Sequence, residues 1–508
     1  MSDLEPITRE EAILAGEQLT PITRKEKIIS GEDLEPITRE EWFLKKYYGG
    51  GGGDVTIEPL TATDNGTYSE QGKAYSPVTV AVPLGTKSIT ANGTYDATDD
   101  SLKGYSSVSV DVNQGVYGFH INGNESDPSA RVTYLADAIG ATPAHMDYEN
   151  NVFDYGSWRD AWFIKGIKPC ILGQDGVVQK YLDPNDYEKD IDGNSVTIDS
   201  TLSGANVMIE FPKIWYKVIP DADDKYSGSV FISKTKLDDG YKDYAFIDYQ
   251  GNHKDHFYMA AYNSAQINNV LRSVSGAQVI DSLTGQQEVD RASANGNGWF
   301  TEDSGEVLLI NFLLILIGKS TNTQAVFGKG ISVSGSQTIN REFRTGVHNK
   351  RGLFHGTNSG EANVYTNAVK VFGIENWWGF QWRRYAGDML VEGQRKIKLC
   401  YGQEDGSTVD AFNSTGSGYV NVGDTPSGTG GGYINKMVFG HDGMFSSISS
   451  GTETTYYCDG QWYSNSSARY AFRGGASDGG GRVGAFYVHL SADFGLAYWH
   501  IGACVSFK

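Results

Sequence analysis

Two kinds of residue alternate between Arg473 and Phe507, and that alternation restricts what the chain can be. Arg473-Gly474-Gly475 opens a stretch of glycines and small polar residues. Gly484-Ala485-Phe486-Tyr487-Val488-His489-Leu490 then reads as a strand, and after a loop Ile501-Gly502-Ala503-Cys504-Val505-Ser506-Phe507 reads as another. Gly474, Gly475, Gly484, Phe486, Val488, Leu490, Ile501 and Gly502 are residues that build a fold. Ala476, Asp478, Arg482, His489, Phe494, Leu496, Tyr498 and His500, interleaved with them, share no chemical type. A fixed frame holding an arbitrary set of side chains is what a recognition surface requires. Strand alternation predicts Phe486, Val488 and Leu490 on one face, with Tyr487 and His489 on the other. It also turns Trp499 and Ile501 inward and leaves Tyr498 and His500 outward. Aromatic and imidazole groups on a rigid frame offer large contact area at little ordering entropy, as antibody loops do.

The N-terminal region carries a repeat with a period of fifteen residues: Leu4-Glu5-Pro6-Ile7-Thr8-Arg9-Glu10-Glu11, Leu19-Thr20-Pro21-Ile22-Thr23-Arg24-Lys25-Glu26 and Leu34-Glu35-Pro36-Ile37-Thr38-Arg39-Glu40-Glu41. In each copy a threonine precedes a glutamate by three positions, a capping box at a helix start. Helices of about two turns are unstable alone in water, so residues 1–48 are expected to dock, either on one another or on a partner, as an attachment segment. Five glycines, residues 49–53, form a joint. Residues 54–115 repeat again: Asn65-Gly66-Thr67-Tyr68 recurs as Asn92-Gly93-Thr94-Tyr95, and Tyr75-Ser76-Pro77-Val78-Thr79-Val80 as Tyr105-Ser106-Ser107-Val108-Ser109-Val110. Asn-Gly turns between such strands describe two small β-spacers.

From about residue 116 the composition is that of a globular domain with glycine-rich loops, extending to residue 508. Val132, Leu135 and Ile139 have helical spacing. Residues 207–218 read as a strand pair or one broken strand. The apolar run from Val307 to Ile317 is half the length a bilayer requires and contains Asn311, so a buried helix is expected.

A chain of 508 residues exceeds one compact core. Its formal charge of -20 disfavours nucleic acid and anionic membranes, since a surface that repels phosphates gains nothing from counterion release. The four cysteines, Cys170, Cys400, Cys458 and Cys504, are far apart and are expected to be buried thiols. The acidic start, Met1-Ser2-Asp3-Leu4-Glu5, lacks the apolar core of a signal peptide, which points to synthesis in a cytoplasm.

Phe372-Gly373-Ile374-Glu375-Asn376-Trp377-Trp378-Gly379-Phe380-Gln381-Trp382 resembles the Gly-Asn-Val-Trp-Glu-Trp element of C-type-lectin-like domains related to formylglycine-generating enzymes. Arg473-Gly474-Gly475 with Ile501-Gly502 resembles that family's closing elements, in the right order. The same domain is similar to the tips of bacteriophage tail fibres and to the variable proteins of diversity-generating retroelements. The N-terminal repeats, the Asn-Gly-Thr-Tyr modules, Ile167-Lys168-Pro169-Cys170 and Met208-Ile209-Glu210-Phe211-Pro212-Lys213 are similar to tail proteins of phages of Gram-positive gut bacteria. The resemblance implies an α+β chain: N-terminal short helices, small β-spacer modules and a large C-terminal C-type-lectin-like domain with insertions. It implies a non-enzymatic receptor-binding protein at the virion tail tip, a homotrimer whose N-terminal helices meet baseplate or tail proteins and whose head meets a bacterial surface protein or glycan. The positions a retroelement would vary map onto Ala476, Ser477, Asp478, Gly480, Arg482, His489, Ala492, Asp493, Phe494, Leu496, Tyr498 and His500. The tryptophan that often follows Arg-Gly-Gly in the family is missing here.

Other chemistries find less support. His253 and His256 have the wrong spacing for a helical zinc motif and suggest no third ligand. Cys504 stands alone, without the cysteine partner that formylglycine-type oxidation needs. Asp190-Ile191-Asp192-Gly193-Asn194 lacks the distal glutamate of a calcium loop, so no cofactor or obligatory metal is expected. Glu302 and Asp303 leave a glycan-cleaving carboxylate pair as an alternative, making the chain a virion-associated polysaccharide hydrolase. A structural baseplate component is a further alternative. Trp377, Trp378 and Trp382 with Arg383 and Arg384 form either a sugar-stacking platform or core, the resemblance favouring core for Trp378 and Trp382. Trp462 is less constrained and is a candidate ligand contact.

Overall fold

The computed structural model describes residues 115–508, apart from 425–427 and 466, together with six short strands N-terminal to them. The expected attachment helices of residues 1–48 and the glycine joint of 49–53 lie outside the described residues. The chain divides into two units, one of residues 1–114 with Asp221–Asp223 and one of Gly115–Pro220 with Asp224–Lys508.

In the first unit the sequence repeat is also a register repeat. Gly66–Tyr68 pairs antiparallel with Val78–Val80, placing Gly66 opposite Val80 and Tyr68 opposite Val78. Gly93–Tyr95 pairs with Val108–Val110 in the same way, Gly93 opposite Val110 and Tyr95 opposite Val108. Gly66 and Gly93 are therefore strand residues rather than the hairpin turns expected.

The described residues of the second unit are mostly β, in several sheets with few helices. A four-stranded antiparallel sheet runs in the order Trp215–Pro220, Gly228–Ser233, Tyr117–Ile121, Val132–Ala136. Val132–Ala136 corrects the helix expected from the spacing of Val132, Leu135 and Ile139: Val132 and Tyr134 point inward and Thr133 outward, the alternation of a strand, and Ile139 is exposed. The broken strand expected over 207–218 is real. Ala205–Pro212 lies within a seven-stranded sheet, and after Pro212 the chain turns so that Trp215–Pro220 joins the four-stranded one.

Ser304–Gly318 is the expected buried helix, and every one of its residues is buried. A helix apolar on all sides must be surrounded. Phe312 meets Phe119 and Tyr216 edge-on, while Asn311 accepts from Trp377 Nε1 at 3.1 Å and donates to the Ala485 carbonyl at 3.0 Å. Among the described residues no helix is long and apolar enough to cross a membrane.

The largest sheet holds the candidate site. Its order is Val420–Asp424, Gln394–Ile397, Trp382–Val391, Arg469–Arg473, Val488–Leu490, Gly460–Ser464, Thr429–Tyr433, with Ile501–Gly502 lying parallel beside Trp382. The strand expected over 484–490 is confined to Val488–Leu490, because residues 484–487 form a turn in which Tyr487 N donates to the Gly484 carbonyl. The strand expected over 501–507 is two strands in two sheets. Ile501–Gly502 joins the largest sheet, and Val505–Phe507 lies between His256–Ala260 and Trp299–Thr301 in the seven-stranded one. This segment therefore staples the two sheets together. All four cysteines are buried and unpaired.

Candidate functional site

Arg383 and Arg384 are neighbours on one strand, so their side chains leave opposite faces of the largest sheet. Everything about the site follows from that divergence. On the inner face, pairing runs Arg383, Arg473, Val488, Gln461, Gly432 across five strands, and the four of these with side chains are buried. Glu302 receives Arg383 Nη1 at 3.0 Å on Oε1 and Arg473 Nε at 2.9 Å on Oε2. Arg473 also lies over the Trp377 ring, its guanidinium carbon 3.5 Å from the centroid, and donates to the Trp377 carbonyl at 2.7 Å. Trp377 and Trp378 are fully buried, and Trp378 Nε1 donates to the Gly328 carbonyl at 3.0 Å. These tryptophans are core.

Glu302 and Asp303 are not a surface pair. Both are buried: Glu302 is neutralised by the two arginines, while Asp303 caps the Ser304–Gly318 helix and pairs with Lys508. So placed, Glu302 and Asp303 do not form the exposed carboxylate pair of the hydrolase alternative.

On the outer face the matching row is Arg384, Phe472, His489, Trp462, Gly431. Exposure rises along it. Arg384 and Phe472 are buried, His489 is half-buried and Trp462 is 40% exposed. Arg384 pairs with Glu288 at 2.5 Å and lies over the Phe472 and Phe494 rings. Burial pushes the Glu288 carboxyl up to about 7 against the pull of Arg384. His489 stacks on Phe472 and meets Trp382 edge-on, centroids 5.3 Å apart. Burial, with the nearby His500, lowers the His489 imidazole to about 4, so it is a neutral ring at physiological pH.

The positions singled out from the sequence gather around this row. His500 reaches Tyr498 and Trp499 through ring contacts, and its Nδ1 lies 3.9 Å from Asp478 Oδ2; the imidazole holds the Asp478 carboxyl below its ordinary range. Arg482 stands over the Tyr433 ring at 5.6 Å. Phe494 packs on Tyr470, and the Leu496 carbonyl accepts from Arg384. Asp478, Arg482, Asp493, Leu496 and Tyr498 are exposed, whereas Gly480, His489, Phe494 and His500 are half-buried. Ala476, Ser477 and Ala492 are a correction: they are buried, and do not face solvent. Small side chains are required there because neighbouring chain is in contact, as where a Cβ on Gly335 would come within 2.3 Å of Ser477 Cβ. Tyr487 is likewise buried, under Trp382. Trp499, expected inward, is half-buried.

The frame beneath is fixed independently of those side chains. Gly474 and Gly475 have φ of +83° and +82°, and a Cβ on Gly475 would stand 2.8 Å from Val483 Cγ2. Left-handed backbone in so tight a space admits only glycine. Gln324 Nε2 donates to the Gly481 and Val483 carbonyls, and Gly480 N to the Ser332 carbonyl, so the loop carrying Asp478 and Arg482 is tied to the body. Half-buried Tyr433 completes the face and carries no mark in the sequence analysis, while Trp382 is buried as the resemblance implied.

The remaining candidates are structural. His253 bridges Asp243 and Glu404, at 2.8 and 3.0 Å, and His256 lies 3.9 Å from Glu210. Asp190 accepts from the Asp192 and Asn194 amides and from Lys180, and Asp248 repeats the arrangement with Gln250, Asn252 and Lys254. Both are amide-filled turns. Among the described residues no group of three or more His, Cys, Asp or Glu is placed to hold a metal ion.

No family model matches the chain, and no curated protein matches it. Among solved structures the chain is similar to one described as "Major Tropism Determinant U1 Variant", at 11% identity and a TM-score of 0.25, over 67% of this chain and 72% of that chain. A likeness at that level stands as a similarity alone.

Proposed function

We propose that the chain is a receptor-binding adhesin of a bacteriophage tail, with a C-type-lectin-like head that meets the bacterial surface through the outer face of its largest sheet. The observation that carries this reading is the division of labour between the two faces. Arg383, Arg473 and Glu302 are locked inside, while Asp478, Arg482, Leu496 and Tyr498 project from backbone that other residues hold. A surface whose side chains contribute nothing to the frame can be exchanged without refolding, as retroelement diversification would demand. Residues 1–48 then attach the head to the virion, residues 49–53 act as a joint and residues 54–115 as spacers. A homotrimeric assembly turns weak single contacts into firm attachment.

The test is adsorption to bacteria by the full chain and by a Tyr498→Ala/His500→Ala variant. The Tyr498 and His500 carbonyls hold the backbone, accepting from Ser282 N and Trp382 N, and these bonds survive the substitution. Adsorption is expected to fall tenfold or more, roughly 1.4 kcal/mol, with the unfolding midpoint nearly unchanged. A large loss of stability instead would assign these side chains to the core.

A further inference from the structure

The outer face extends beyond the C-terminal block onto two strands, and glycines shape it there. Thr429–Tyr433 is Thr-Gly-Gly-Gly-Tyr, at the end of the strand order and paired along its length with Gly460–Ser464, so that Gly431 lies opposite Trp462 and Tyr433 opposite Gly460. A Cβ on Gly431 would stand 2.2 Å from Trp462 Cε3. Only glycine there leaves the indole room to lie against the backbone of its neighbour, as aromatic rings do when they cover a strand glycine. The ring is held on that side while 40% of the residue remains exposed. At Gly460 a second missing side chain admits Arg482 Cβ at 2.9 Å and the Tyr487 ring at 2.8 Å. Arg482 is thereby placed over Tyr433, and the half-buried His489 ring lies on the strand beside Trp462.

We propose that this is a subsite for a neutral glycan, a deepening that rests on the adhesin reading above: the C–H face of a pyranose stacks on Trp462 and its hydroxyls meet Arg482 and Tyr433. A flat indole bordered by planar polar groups matches a sugar ring, apolar on its face and hydroxylated at its edge. Protein hot spots instead lie in packed pockets near the centre of an interface, whereas Trp462 sits one strand from the sheet's edge. The charge of -20 disfavours a polyanionic polymer such as a polyphosphate.

The experiment takes bacterial strains that adsorb the full chain and treats them with periodate, which cleaves vicinal diols, or with proteinase K. Binding is then measured by flow cytometry for the wild type, Trp462→Ala and Trp462→Phe. Periodate is expected to abolish binding and proteinase to spare it. Trp462→Ala is expected to weaken it about tenfold, with Trp462→Phe retaining most of it. The two chemical treatments use the wild-type chain, so the ligand class is decided whatever Trp462→Ala does to stability. Binding that survives periodate, or that Trp462→Ala leaves undiminished, overturns the glycan subsite and leaves the adhesin reading standing. Absence of binding to every strain of a broad panel overturns the adhesin reading, and the subsite with it.

Discussion

Glu302 and Arg473 stand 171 residues apart in the chain, yet Arg473 Nε and Nη2 both donate to Glu302 Oε2, at 2.9 and 2.5 Å. Arg383 takes the other oxygen. One carboxylate thus joins the link between the Trp299–Thr301 strand and the Ser304–Gly318 helix to the two central strands of the largest sheet, and all three groups are buried. Glu302→Gln keeps the shape and removes the charge, leaving two guanidinium groups uncompensated. Breaking a buried pair in this way costs about 3–5 kcal/mol, and urea unfolding of the variant should show a loss of that size.

Lys508 supports the same region from the other side. Its ammonium pairs with Asp303 and lies 3.5 Å from Glu306, the two residues of the helix capping box. Burial lowers the Lys508 pKa, but the two carboxylates outweigh it and hold the group above its ordinary value. Lys508→Met should cost several kcal/mol, on the order of the 3–5 found when a buried pair is broken. Adding Asp303→Asn removes one stranded charge while keeping an N-cap residue, and the double variant should recover part of the loss in the same assay.

Much of this interior is legible in the sequence and its pairing is not. The apolar run from Val307 to Ile317 pointed to a buried helix, and Gly474-Gly475 read as part of the frame. Nothing local marks Glu302 as the partner of Arg383 and Arg473, because ion pairs across 81 and 171 residues leave no spacing signal. The helical spacing of Val132, Leu135 and Ile139 was an accident of a strand and its following turn. At the candidate site, chemical incoherence along 476–500 was visible, but incoherent residues include small buried ones. Ala476, Ser477 and Ala492 differ in kind from Tyr498 only in what the rest of the fold places over them. Trp462 could be flagged and Tyr433 could not, since the reason for the glycines before it lies in the paired strand.

His253 gives the fold a pH dependence of definite sign. Burial lowers its pKa, but Asp243 and Glu404, on its two ring nitrogens, outweigh that and raise it above the ordinary 6.5. Asp243 is also paired with Lys213, and the Trp215 ring stacks on the imidazole. A raised folded-state pKa means the contribution is fully present below pH 6.5 and is lost as pH rises through the folded value. The wild type should therefore melt above His253→Gln at pH 5.5, and the gap should narrow on going to pH 8.5. A gap that widens would contradict the bridge.

The outer face makes the sharpest demand, since it requires neighbouring positions to respond oppositely. Asp478, Arg482, Leu496 and Tyr498 are exposed on backbone held by Gln324, Ser332, Ser282 and Arg384. Alanine at each should change stability by no more than about 0.5 kcal/mol. Two residues before Asp478, Ala476 is fully buried, and Ser477 touches the backbone of Gly335; enlarging either to leucine overpacks the core and should cost about 1–3 kcal/mol. Phe472, the buried ring beneath His489, should cost about 3–5 kcal/mol as alanine. His489 is the intermediate case: a neutral ring, half-buried, with Nδ1 unpaired, it should accept tyrosine or phenylalanine with little change in midpoint. Urea unfolding of this set, read beside adsorption, separates frame from display. If the exposed group destabilised as strongly as Phe472→Ala, the two faces would be one core and the recognition surface would have to lie elsewhere.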